Sequence, residues 1–291
     1  MAIHQPTYAP WQGEPLSRPH RILAIAGVNA RIAFSNLWTI IFLAFCFLVI
    51  GAMFFMLFLL TILPRELPVD KILPQYLSNN VYRTYLSDGF LILLYALLGA
   101  AAGAGMLSRD LRANAIPLYL SRPITKLDYV CGKAAAFIAF MLAATLAPAI
   151  ILWLGAWAAG VEAIGWGSRL LDLGGIVLMS LVVVVPMAAC VLAFSSLTRR
   201  TALAGVYWIL FFLGSFTMSE VLEDTTDDKI YGLIDWSHNL QTVSAAFFET
   251  RVKMPAVDAG HGILESAPVL VGLTAAATTL LWARLRKFEE V

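Results

Sequence analysis

The sequence predicts an all-α integral membrane protein with six transmembrane helices. Three observations predict it: 60% of the 291 residues are hydrophobic, only 13% are charged, and the apolar residues gather into six runs. Soluble domains carry about 25% charged residues, and a helix needs about twenty apolar residues to cross a bilayer. The runs are Leu37 to Leu63, Gly89 to Leu107, Ala134 to Ala159, Leu173 to Leu197, Thr201 to Met218 and Ala267 to Ala283. Six buried helices of a soluble protein would leave too little polar surface to cover them.

The first run follows a polar segment with Pro6, Pro10, Pro15 and Pro19, unlike a cleavable signal peptide, and is expected to stay as an anchor. Residues 1–36 therefore form a lead-in, 37–283 the six-span bundle and 284–291 a tail, all in one transmembrane domain. Within the lead-in, Pro19 to Ser35 predicts an amphipathic helix lying in the interface plane. His20, Gly27, Arg31 and Ser35 fall on one side, and Ile22, Ile25, Ile32 and Ala33 on the other. Asn29 lands on the apolar side, against the pattern. An irregular basic lead-in is the alternative.

In the second span, Gly99 and Gly103 form a G-x-x-x-G pair, followed by Gly105, which predicts close approach of another helix. Pro148 and Pro186 fall inside the third and fourth spans, where each removes a backbone hydrogen bond and bends the helix. Cys46, Cys131 and Cys190 show neither metal-ligand nor redox spacing and are expected as small apolar fillers. Between the last two spans, in segment 219–266, Ile230, Leu233, Ile234, Leu240, Val243 and Phe247 recur at roughly helical spacing. That predicts one or two short helices resting on the outer membrane surface. Glu223, Asp224, Asp227, Asp228, His238 and His261 match neither a calcium loop nor a paired-His zinc motif. A solvated acidic face is expected there, with no metal.

Charge sorting sets the topology. With both termini cytoplasmic, thirteen of the 20 Lys and Arg residues fall on the inner side and seven outside, as the positive-inside rule favours. Nine of the 19 acidic residues lie between Glu220 and Glu265, on the other side. Trp38 and Trp282 near inner ends, and Trp157 and Trp166 near an outer one, suit interfacial anchoring.

Absences narrow the function. The six runs contain no Asp, Glu, Lys, Arg or His as drawn, which argues against a proton-driven pump working alone. There is no phosphate loop, since Gly132-Lys133 is followed by Ala134. The chain is thus not its own ATPase, and no cofactor or nucleic-acid partner is expected on it. A membrane enzyme would have to use outer-segment residues such as His238 and His261.

The segment from Ser108 to Lys133 holds the densest turn, cap and charge signals. Ser108 is expected to cap a short helix from Arg109, which Pro117 ends near Ala115 or Ile116. On it Arg109 and Arg112 share a face, with Leu111 and Ala115 on another. Ser121-Arg122-Pro123 then turns the chain, and Thr125-x-x-Asp128 predicts a capping box for the next helix. Lys126 and Lys133 are expected to snorkel toward headgroups. A plain positive-inside loop facing lipid phosphate explains the same charges.

Tyr119-Leu120-Ser121-Arg122-Pro123-Ile124-Thr125-Lys126, followed by Tyr129-Val130-x-Gly132-Lys133, resembles the cytoplasmic segment of type-2 ABC transporter permeases, the membrane subunits of ABC exporters. The opening Tyr8-x-x-Trp11-x-Gly13-Glu14 is similar to that of some members. The resemblance implies a dimer of six-span halves, with a second permease copy or a sister permease, in the cell (inner) membrane. It also implies a separate ABC ATPase subunit that carries ATP and Mg. Ser108 to Ile116 is then similar to the coupling helix that docks on that subunit. The implied interface comprises Arg109, Asp110, Leu111, Arg112, Ile116, Ser121, Arg122 and Pro123. Arg109, Arg112 and Arg122 would meet acidic groups, and Leu111 and Ile116 would make apolar contact. A membrane scaffold or mechanotransmitter of the same fold is the second expectation, and an enzyme the third.

Overall fold

The computed structural model describes residues 17–62, 81–120, 124–158, 166–248 and 262–286, and among these the regular structure is entirely helical. Helix α1 (Arg18–Phe34) carries Pro19 in its first turn, where a missing N–H is harmless. It buries Ile25, Asn29 and Ala33 and exposes His20, Gly27, Arg31 and Ser35, the faces expected from the sequence. Asn36 then opens α2 (Leu37–Ile62). Its Oδ1 accepts from the Trp38 N–H at 3.2 Å, and its Nδ2 donates to the Ala101 carbonyl at 2.9 Å.

The chain continues through α3 (Val81–Ser87), α4 (Gly89–Gly103), α5 (Gly105–Arg112), α6 (Ile116–Leu120), α7 (Lys126–Ala158) and α8 (Trp166–Leu197). After α9 (Thr201–Thr226) come a 3-10 helix (Lys229–Ile234), α10 (Trp236–Phe247) and α11 (Ile263–Arg286). Among the described residues, six helical stretches are long and apolar enough to cross a membrane: α2, α4 with α5, α7, α8, α9 and α11. The second and fourth are 72% buried over their most apolar stretch, whereas α2, α9 and α11 are 17% buried. Spans two and four therefore form the centre, and one, five and six the rim.

Lys126 at the start of α7 donates to the Leu285 carbonyl of α11 at 3.3 Å, and Arg284 reaches the Leu197 carbonyl of α8 at 3.3 Å. With α1 packed along α7, both ends of the described chain meet at one end of the bundle. An even number of spans requires this. We call it the basic end.

Small residues set the packing, because lipid tails leave helices little hydrophobic reason to associate. A Cβ on Gly103 would fall inside 3 Å of Phe137 on α7 and Val191 on α8, and Gly99 faces the same two helices. The close approach expected of this pair is therefore made within the chain. Gly132 does the same for α1, since a Cβ there would lie 2.7 Å from Ile25.

Both α7 and α8 continue through their prolines. Pro148 cannot donate to the Ala144 carbonyl one turn back. Tyr85 of α3 donates to that carbonyl instead, at 2.7 Å. Tyr95 in turn donates to the Tyr85 carbonyl at 2.7 Å.

The segment between the last two spans contains the two expected short helices, but α10 does not rest on a surface. It is buried among α3, α8 and α11, with Leu240 and Ser244 fully covered. Asn239 and Ser244 are among its buried polar side chains that find hydrogen-bond acceptors. Asn239 donates to the Leu233 and Asp235 carbonyls, and Ser244 to the Ser87 hydroxyl at 2.8 Å. Asp235 caps α10 by accepting from the Ser237 and His238 N–H groups. Burial pushes its carboxyl above the usual range, while those two N–H groups pull the other way. Asp224, Asp227 and Asp228 are exposed. His261 lies outside the described residues. Of the cysteines, Cys46 and Cys190 are buried and Cys131 is exposed.

Gly103→Val should cost about 1–3 kcal/mol through overpacking, and Tyr85→Phe about 1 kcal/mol by orphaning the Ala144 carbonyl. Thermal unfolding in detergent measures both as lowered midpoints.

Candidate functional site

The candidate site begins where the second span breaks. Ala104 still donates to the Ala100 carbonyl at 3.2 Å. One turn on, the N–H groups of Leu107 and Ser108, in the first turn of α5, donate to Ser195 Oγ on α8, at 3.0 and 3.1 Å. Ser195 donates to the Ala104 carbonyl at 2.7 Å. A side chain set against the backbone in this way is a recognised cause of a kink, and α4 gives way to α5 here.

Ser108 is thus not the cap of a helix beginning at Arg109. It sits inside α5, donating back to the Ala104 carbonyl at 2.7 Å and lying 3.1 Å from Thr201 Oγ1. The helix starts earlier because Ser195 serves the N–H groups that a cap would otherwise have to satisfy.

Helix α5 ends in a Schellman motif. The Ala115 N–H donates to the Asp110 carbonyl at 2.9 Å, and the Asn114 N–H to Leu111 at 3.4 Å. Asn114 adopts φ 49°, the left-handed conformation that this motif needs at that position. Pro117 falls in the first turn of α6, so the expected stop before Pro117 holds. Together α5 and α6 form an elbow at the basic end.

Arg112, Ala113, Asn114 and Pro117 are exposed at its tip, and Leu118 is 70% exposed. Arg109 is half-buried and folds back, donating from Nε to the Gly105 carbonyl at 2.8 Å. Leu111 and Ile116 are 7% and 4% exposed, packed within the chain's own fold. Ser121, Arg122 and Pro123 lie outside the described residues, as do Tyr8, Trp11, Gly13, Glu14 and the tail from 287.

The predicted capping box opens α7. The Thr125 N–H donates to Asp128 Oδ2 and the Asp128 N–H to Thr125 Oγ1, both at 3.2 Å. Asp128 also accepts from Arg18 Nε at 2.6 Å. One carboxylate therefore caps α7 and pins the start of α1.

Asp110 faces inward. Its Oδ2 accepts from the Tyr129 hydroxyl at 2.6 Å and pairs with Lys133 Nζ at 2.8 Å. Lys133 is 2% exposed, so the expected snorkelling is wrong. Its ammonium also donates to Asn29 Oδ1 of α1 at 3.1 Å and to the Met106 carbonyl of α5. Three N–H groups thus meet three acceptors, and the group is fully satisfied. Burial wins over snorkelling because Gly132 lets α1 close over the lysine, and Asp110 supplies the countercharge. Asn29, Tyr129 and Ser195 had no assigned role in the sequence. Tyr129 belongs to the motif that resembles the permease family, and Asn29 is the polar residue on the apolar face of α1, whereas Ser195 carries no sequence signal.

Six apolar spans, the second interrupted at Ala104, with a short elbow at the basic end, define a multi-pass membrane protein. The family model described as ABC-2 family transporter protein matches residues 23–283, and the chain belongs to that family of ABC transporter membrane components. Membership implies partnership with an ABC ATPase subunit. No curated protein matches the chain.

Ser195→Ala should lower the unfolding midpoint, at about 1–3 kcal/mol for two orphaned N–H groups. At the elbow, Asn114→Gly should be neutral or stabilising and Asn114→Val destabilising by about 1–2 kcal/mol, read on the same unfolding curves.

Proposed function

We propose that this chain is the permease subunit of an ABC exporter in the cell (inner) membrane. It forms the translocation pathway as a dimer with a second copy or a sister permease. Its basic end faces the cytoplasm, as the positive-inside rule favours, and α1 lies along that interface. A separate ATPase subunit, which binds ATP and Mg, grips the elbow.

The observation that carries this proposal is the set of exposed residues at the elbow tip, Arg112, Ala113, Asn114, Pro117 and Leu118, held on the buried Leu111 and Ile116. Gripping moves a membrane domain only if the grip differs in free energy between two of its states. An elbow set on a helix break can take two positions without unfolding the span behind it. Arg112 and Arg122 are the proposed charged contacts and Leu118 the apolar one. Leu111, Ile116 and Asp110 serve the elbow's own packing. The half-buried Arg109 acts at the edge of the contact. Ser121 and Pro123, the sequence neighbours of Arg122, belong to the same proposed contact.

A scaffold of the same fold would use the same elbow to pass on force without moving a solute. A transport assay on the reconstituted complex separates the two. Nucleotide-driven movement of a solute supports the exporter, and conformational cycling without transport supports the scaffold.

Arg112→Glu, Leu118→Asp and Arg122→Glu should each reduce co-purification of the ATPase at least tenfold, with membrane insertion unchanged. A complex that survives all three contradicts the docking site.

A further inference from the structure

We propose that Lys133 is the positioning residue through which movement of the elbow reaches α1 and α7. The proposal rests on the docking site above for the source of the movement, and on the geometry for the linkage.

The lever has three parts. Its pivot is the helix break at Ala104, where Ser195 and Thr201 hold Ala104, Leu107 and Ser108. Its handle is the tip of the elbow. Between them, on α5, lies Asp110, and the Lys133 ammonium binds it there. The same ammonium holds Asn29 of α1 and the Met106 carbonyl, while its own backbone belongs to α7. A displacement of α5 about the break therefore pulls on α1 and α7 through one group.

Neighbouring contacts reinforce this role. Tyr129, one turn before Lys133, holds Asp110 from the same face of α7 at 2.6 Å. Gly132 lets Ile25 of α1 approach closely, and Arg18 is fastened to Asp128. Helix α1 is thus seated along α7 and joined to α5 through Asn29 and Lys133.

Stability alone is a poor reason for such a cluster. Replacing a buried ion pair with uncharged groups of similar size is often neutral or stabilising. What the pair supplies is direction, because a three-way junction of charge-assisted hydrogen bonds holds only one relative placement of the helices.

Electron-spin distances test this on the chain in nanodiscs, with labels at the exposed Val28 and Ala113 and Cys131→Ser to remove the exposed thiol. Wild type should give one narrow distribution. Lys133→Met with Asp110→Asn keeps an acceptor for Tyr129 and should broaden it at least twofold. Asn29→Leu, which leaves the ion pair intact, should broaden it as well. Thermal midpoints should stay near wild type in the double variant, which removes both charges together, and fall in Asn29→Leu, which orphans one ammonium N–H; a purely structural role would not give broadening at the unchanged midpoint of the double variant. Distributions as narrow as wild type in both variants overturn the proposal. This measurement needs no ATPase, so its failure is distinct from failure of the docking site, which co-purification reads.

Discussion

The structure depends on one buried ammonium group. Lys133 is nearly inaccessible, and its three N–H groups end on an asparagine of α1 and on a carboxylate and a carbonyl of α5. An unpaired charge at this depth costs several kcal/mol, so the three helices are constrained to meet there. Asp110 faces inward, the elbow tip faces outward, and α1 lies against α7 rather than drifting along the interface.

Around that junction, backbone groups released by irregularities are taken up by side chains from other helices. At the break after α4, Ser195 accepts from the Leu107 and Ser108 N–H groups. Pro148 frees the Ala144 carbonyl, and Tyr85 donates to it. In an apolar surrounding, where water cannot satisfy such groups, irregular backbone survives only with partners of this kind. The break thus stands on a rigid centre of spans two and four, while the elbow beyond it turns on a short arc of backbone. In the proposed exporter, the elbow is the handle and spans two and four its support.

Much of this was legible in the sequence, for identifiable reasons. The six spans follow from run length, which the bilayer dictates. The Thr125 and Asp128 box and the stop before Pro117 follow from local chemistry, which acts within four residues and needs no tertiary knowledge. The Leu120 to Lys126 segment carried the family resemblance. Lys133 was misjudged because a long side chain at a span boundary reaches headgroups or a partner equally well. Only its position relative to Asn29 and Asp110, far off in sequence, decides between them. Helix α3 was too short to show a period. The burial of α10 was hidden because serine and asparagine read as surface residues until their partners are known.

The connection from elbow to energy source is the central claim, and hydrogen exchange tests it most directly. The chain, reconstituted with its ATPase subunit, should show slowed amide exchange over residues 112–120 relative to the chain alone, with the α4 core unchanged. Protection that falls elsewhere at the basic end, with the elbow tip exchanging as fast as before, would contradict the account.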